Sequence, residues 1–203
     1  LLAQLNTLRE SNGVSGRARI KLSCWRESGG LYRPTNAGMH YLLELRAGQA
    51  PSPVVSELAL AKRSWVPLHP LGAFKRLSAD EYVYAGLECE QLGAEDLLLC
   101  NQEGYLAESL YANLFWQQEG IWYTPSVASG CIEGVMRRFI LHLAKQQGVP
   151  VEEGLYQPAS LKQAEHLLSC NASGIRWYDG QAYKTADPFM TEVLAVWQQE
   201  DEL

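Results

Sequence analysis

Gly134-Val135-Met136-Arg137-Arg138 reads as a helix start with an unusual first turn. It carries two arginines and no acid, whereas most helices place Asp or Glu there to complement the positive end of the dipole. An apolar stripe of Val135, Phe139 and Leu143 runs behind it, and Gly148 ends the run. Free N–H groups at a helix start, with a glycine that permits close approach, make an anion seat of the kind that holds a phosphate. An ordinary surface helix with a basic end is the other reading of the same residues.

Metal and thiol chemistry find less support. Cys24, Cys89, Cys100, Cys131 and Cys170 are odd in number, scattered, and contain no CxxC pair. That usage suits reduced cytosolic thiols rather than a disulfide frame or a zinc site. His40, His69, His142 and His166 show no ligand spacing and read as packing or surface residues.

The elements that would position such a seat are short and mixed. Residues 1–13 read as a helix ending at Asn12-Gly13. Arg19 to Trp25 alternates polar and apolar, as a half-buried strand should, and His40 to Leu45 reads as its returning partner. Gly48 to Pro53, GQAPSP, is the best linker in the chain. A short extended piece then leads to Lys75. Ser78 and Glu81 form a capping box for a helix from Ala79 to about Leu92, with Gly93 as its stop. Leu97–Cys100 and Tyr105–Glu108 pair around Asn101–Gly104, and NLFWQQEGIWYTP turns at Gln118-Glu119-Gly120. After the Gly134 helix come a strand over 151–156, a short helix from Ser160, a strand HLLSCNA and a hairpin GIRWYDGQAY. A last helix has Asp187 at its N-cap and Pro188 at its first position. This order argues for α+β rather than a regular βαβ alternation.

The chain has 203 residues, 47% of them hydrophobic, enough for one good core or one large domain and part of another. Its net charge is −6 and no dense basic run appears, which argues against a nucleic-acid surface. No apolar run reaches the length of a membrane span. No secretory signal is visible, so the chain is expected to be cytoplasmic.

Four pieces in order carry a resemblance: Lys75 in FKRLSADEYV, Glu108 in EGYLAESLYANLFW, the run TPSVASGCIEGVMRR, and Cys170-Asn171-Ala172. Together they resemble the class IV aminotransferases, fold-type IV enzymes that use pyridoxal 5′-phosphate (PLP). The group includes branched-chain and D-amino acid aminotransferases and aminodeoxychorismate lyases. The most specific part runs from Glu103 to Arg137: the Gly-aromatic-x-x-Glu hairpin, Asn113-Leu-Phe, Thr124-Pro125 and Gly134-x-x-Arg137.

The resemblance implies a larger pseudo-barrel PLP domain over residues 51–203. Residues 1–50 would form the C-terminal part of a smaller α/β domain, whose first strands and phosphate-binding arginine find no match here. Lys75 matches the lysine that forms an imine with the cofactor aldehyde and then shuttles a proton. Its neighbours Phe74 and Leu77 are expected to give it an apolar setting. Glu108 matches the acid that keeps the pyridine nitrogen protonated, and its apolar flanks favour burial. Gly134, Val135 and Met136 match the phosphate seat, Ile132 the aliphatic residue on the ring, and Asn171 and Ala172 a second loop reaching the phosphate. Arg137 reads as structural.

Two departures stand out. Ser78 and Ala79 occupy the places where many members have Asn-Tyr, the tyrosine touching the cofactor's phenolic oxygen. Met136 replaces a phosphate-binding threonine, and the Val-Met-Arg form leans towards the lyases. The implied activity is amino transfer between an amino acid and a 2-oxo acid, in a homodimer. The lyase reaction, pyruvate elimination, is the alternative, and a non-catalytic PLP-binding relative is a further one.

Overall fold

The computed structural model describes residues 1–16, 18–48, 52–179 and 183–200. The chain divides into two compact units, Leu1–Ala50 and Pro51–Leu203. In the first, α1 (Leu2–Ser11) precedes an antiparallel ribbon of β1 (Ala18–Arg26) and β2 (Met39–Ala47), paired from Ala18↔Ala47 to Arg26↔Met39. The strands fall where the alternation put them, but the expected half-burial does not occur. Ile20, Leu22, Trp25, Tyr41 and Leu42 stay exposed, and Ser23 is the one buried residue among those described here. A two-stranded ribbon with one helix has too little second layer to cover a face.

The second unit is built in layers. A six-stranded sheet has the order β3 (Val54–Val55), β11 (Gly174–Tyr178), β10 (His166–Asn171), β7 (Asn113–Gln118), β8 (Ile121–Pro125), β9 (Val151–Gly154). A three-stranded sheet holds β4 (Leu58–Val66), β5 (Asp96–Asn101) and β6 (Leu106–Ser109). The outer strand pairs β3–β11, β8–β9 and β4–β5 are parallel and the others antiparallel. This is the mixed α+β arrangement expected from the element order.

Leu114, Phe115 and Trp116 on β7 show how the layers join. Phe115 packs with Met136, Ile140 and Val193 under α3 (Val135–Gln147) and α4 (Pro188–Glu200). Leu114 and Trp116 point the other way, onto Leu98, Leu106, Leu167 and Tyr178. Burial on both faces explains why β7 reads as a continuous apolar run. A third cluster of Val66, Leu97, Leu99 and Ala107 packs against Ala85 and Cys89 of α2 (Asp80–Leu92).

Helix ends follow the chain chemistry with one exception. Gly93 and Gly148 take the left-handed conformation at φ 66° and 70°, and Asp187 Oδ1 accepts the Met190 N–H at 3.1 Å. The expected Ser78–Glu81 capping box does not form. Ala79 holds the cap position without a side-chain bond, and Glu81 instead pairs with Arg76 at 3.0 Å. A partly buried guanidinium outcompetes a backbone amide for that carboxylate. GIRWYDGQAY also differs. Its first arm, β11, forms its hairpin with β10 through Ala172-Ser173, where Asn171 Oδ1 accepts the Ser173 N–H at 2.8 Å. The second arm includes residues 180–182, outside the described residues. The short helix expected from Ser160 is a 3₁₀ segment, Pro158–Gln163.

Arg137 fixes α3 to the sheet. Its side chain is 2% exposed and donates to Pro125 O at 2.9 Å and to the Glu153 carboxylate. Arg137→Met is therefore expected to lower stability by about 2 kcal/mol, read by urea denaturation, because it leaves Pro125 O with only the weak Cys131 thiol donor at a buried helix–sheet contact.

Candidate active site

Lys75 lies on an irregular segment between β4 and α2. The turn before it is closed by Gly72 N–H on His69 O at 2.8 Å and Phe74 N–H on Leu71 O at 3.1 Å. Ala73 O then accepts the Glu133 N–H at 2.9 Å, hooking the lysine segment to the loop ahead of α3. The apolar setting expected from Phe74 and Leu77 is absent. Those side chains are 66% and 59% exposed, and Lys75 is itself exposed.

Glu108, on β6, is 3% exposed. Its Oε1 accepts the Tyr82 hydroxyl, and its Oε2 accepts the Ile132 N–H at 3.2 Å and, at 3.5 Å, Asn113 Nδ2. Burial pushes its carboxyl up to about 7. The Tyr82 and Ile132 hydrogen bonds and the Lys75 charge oppose that rise, and Glu81 adds to it. Lys75 and Glu108 are thus within electrostatic reach of each other.

The loop from Cys131 to Gly134 commits its amides one by one. Ile132 N–H goes to Glu108, Glu133 N–H to Ala73 O, and Gly134 N–H to Ile132 O at 2.9 Å. The half-buried Ile132 meets the acid through its backbone as well as offering an aliphatic side chain. The helix then starts with no side-chain cap and no acid in its first turn. The Val135 and Met136 amides have no carbonyl to reach within the helix. Val135 is exposed, while the Met136 side chain is wholly buried in the core, so only its amide is available to a ligand.

Asn113 joins these pieces. Its Nδ2 donates to Ile132 O at 2.6 Å, and its Oδ1 sits where a Cβ on Gly134 would lie, 2.2 Å away. Gly134 has ordinary extended angles, φ −68° and ψ 148°, so space rather than backbone freedom demands glycine there. Gly134→Ala is expected to push Asn113 off Ile132 O at a cost of about 1–3 kcal/mol, seen as a lower melting temperature and weaker anion binding at the helix start. Across the sheet Asn113 pairs with Cys170. Asn171, the last residue of β10, is therefore one residue beyond that pair, donating from Nδ2 to Tyr111 O at 3.2 Å, with exposed Ala172 beside it.

Gly134, Val135, Ile132, Glu108 and Asn171 thus gather around the start of β7, and the Lys75 charge acts on the acid. Two contributors went unassigned in the sequence. Asn113 stands in the Asn113-Leu-Phe piece of the motif, but that piece assigns it no role. Tyr82 carries none, since its contact with Glu108 spans 26 positions and exists only in the folded chain. The set offers an amine, an acid that titrates near neutrality, and two uncommitted helix amides for an anion.

Known proteins share this arrangement of elements. The branched-chain aminotransferase of Thermoproteus uzoniensis superposes with a TM-score of 0.81 at 16% identity, over 97% of this chain and 69% of its own. That of Escherichia coli gives 0.78 at 18%, over 95% and 68%. At these identities the likeness is one of fold, and the fold is that of the fold-type IV enzymes. In sequence, the "Probable branched-chain-amino-acid aminotransferase" of Rickettsia bellii is 37% identical over 87 residues, 43% of this chain. The aminodeoxychorismate lyase of Bacillus subtilis is 32% identical over 106 residues, 51% of this chain. These matches span 29% and 36% of the relatives' own lengths. The sequence pattern described as "Amino-transferase class IV" extends further, over residues 1–176, and takes in Lys75, Glu108, Gly134 and Asn171 in one alignment. By that match the chain belongs to the class IV aminotransferase family.

Proposed function

We propose that this chain carries the PLP site of an aminotransferase that moves an amino group between an amino acid and a 2-oxo acid. The supporting observation is Glu108, a buried acid on which the Lys75 charge acts and which is bonded to the loop that opens the uncapped α3. The residues present fit the cofactor. A carboxylate has about four acceptor positions, and three are taken at Glu108, which leaves one for a pyridine N–H. When bound, PLP supplies an aldehyde that captures amines and a ring that draws electrons from the substrate Cα. Lys75 Nζ would capture the aldehyde and move the proton at the substrate Cα. Glu108 would keep a proton on the ring nitrogen. The Val135 and Met136 amides would hold the phosphate, with the Asn171-Ala172 turn beside them, and Ile132 would offer the ring an aliphatic side chain.

Residues 51–203 are assigned to the cofactor domain and 1–50 to the smaller domain of this family. The family fold and the five free cysteines support a cytoplasmic enzyme. Val83, Tyr84 and Leu87 leave apolar surface exposed on α2, which favours association into a homodimer. A monomer in sedimentation equilibrium with cofactor bound would remove that part. The function is tested by adding PLP and following amino-acid consumption against added 2-oxo acid. No absorbance band at roughly 400–430 nm, where lysine-bound cofactor absorbs, and no oxo-acid dependence would sink it.

The lyase reading is the alternative. The Bacillus subtilis lyase matches a longer stretch than the Rickettsia bellii protein does, and Ile132-Glu-Gly-Val-Met-Arg137 leans the same way. Pyruvate release from aminodeoxychorismate without an amino acceptor would establish it in place of transfer.

A further inference from the structure

We propose that Tyr82 is the positioning residue of the acid: its hydroxyl holds Glu108 ionised and aimed at the ring nitrogen. The inference rests on the PLP reading above. No tyrosine stands at position 79, where the cap is alanine. One turn further along the same helix, Tyr82 turns inward among Val66, Leu97, Leu99 and Cys131 and places its hydroxyl on Glu108 Oε1.

The chemistry at Glu108 sets the role. An ionised carboxylate accepts hydrogen bonds and donates none, and the contacts from Ile132 and Asn113 arrive on Oε2 alone. Without Tyr82 the other oxygen would be buried and unsupported, and a proton would settle there. Burial holds the Tyr82 phenol in its protonated form, well above the usual tyrosine range, with the Glu108 charge adding to the effect. Tyr82 therefore remains a donor throughout the range in which Glu108 titrates. The other charged or titratable groups facing the carboxyl are Lys75 on the preceding segment, Glu81 on α2 and Cys131 on the loop before α3. Lys75 favours the ionised form, and the Glu81 charge disfavours it. Burial keeps the Cys131 thiol protonated, up to about 11.

The test reads the cofactor-free protein. Carbon-13 labelling of glutamate carboxyls, assigned with Glu108→Gln, follows the Glu108 titration by NMR. In Tyr82→Phe the proton affinity of Glu108 rises about tenfold, as expected for loss of one donor to a buried carboxylate. A fluorotyrosine at position 82 alone is a more acidic phenol and a stronger donor, so its shift has the opposite sign. It keeps the side chain's shape should the phenylalanine variant fail to fold. An unchanged midpoint in either folded variant overturns the proposal. Because neither measurement uses PLP, a chain that binds no cofactor would defeat the functional reading while these shifts still report on Tyr82.

Discussion

Lys75→Ala is expected to abolish turnover, with a loss of about 10³-fold or more, and to erase the lysine-bound cofactor band at roughly 400–430 nm. The fold should hardly notice. Lys75 is exposed and, among the described residues, makes no ion pair, and substitutions at such positions change stability by about 0.5 kcal/mol or less. This separation of chemistry from stability makes the variant decisive, since a catalytic loss with an unchanged melting curve cannot be blamed on unfolding. Lys75→Arg sharpens it. Arginine keeps the positive charge that acts on Glu108 but is not a usable nucleophile, so titration of Glu108 should survive while the band is lost. Activity in either variant would place the reacting amine elsewhere.

The exposed lysine also marks where sequence reading stops. Apolar runs such as Leu114–Trp116 and 167–170 declared their strands because burial on both faces demands it. Asp187-Pro188 and Gly148 declared their helix ends because capping is local chemistry. The Ser78–Glu81 box failed for a tertiary reason, as Arg76 offered Glu81 a better partner. An ordered motif singled out Lys75 and Glu108, but it did not reveal their surroundings. Phe74 and Leu77 turn outward, and the groups that contact Glu108 come from α2, β7 and the loop before α3. The opening ambiguity at Gly134 resolves in two parts. Its missing Cβ is required by Asn113, which no local pattern could reveal, while the uncapped amides of Val135 and Met136 are a separate feature.

Glu108→Gln is expected to change how the cofactor-free protein responds to pH, and the sign follows from burial. The carboxyl titrates at about 7 in the folded chain against 4.5 when unfolded. Folding therefore takes up a proton between those values. The stability tied to Glu108 is complete below about pH 4.5 and is lost as pH rises through about 7, an effect of about 3 kcal/mol. Glutamine cannot titrate, so the variant should lack that decline. Its amide also has only one oxygen for the donors that converge here. With its oxygen in the place of Oε2 it keeps the Ile132 and Asn113 donors, and the Tyr82 hydroxyl can turn to accept from the new NH₂, but the second N–H of that NH₂ is then buried without an acceptor, at about 1–3 kcal/mol. That cost does not vary with pH. The two effects separate when urea unfolding of both proteins is compared from pH 4 to 8.5: the offset measures the lost acceptor, and the slope of the difference measures the titration. Asp96, held high by burial, and Glu88, held low against burial by the Ser64 hydroxyl and the amides around it, contribute equally to both proteins and cancel. Parallel curves would mean that Glu108 is ionised at little cost in the folded chain. The groups bonded to its carboxylate would then offset the burial that pushes it up.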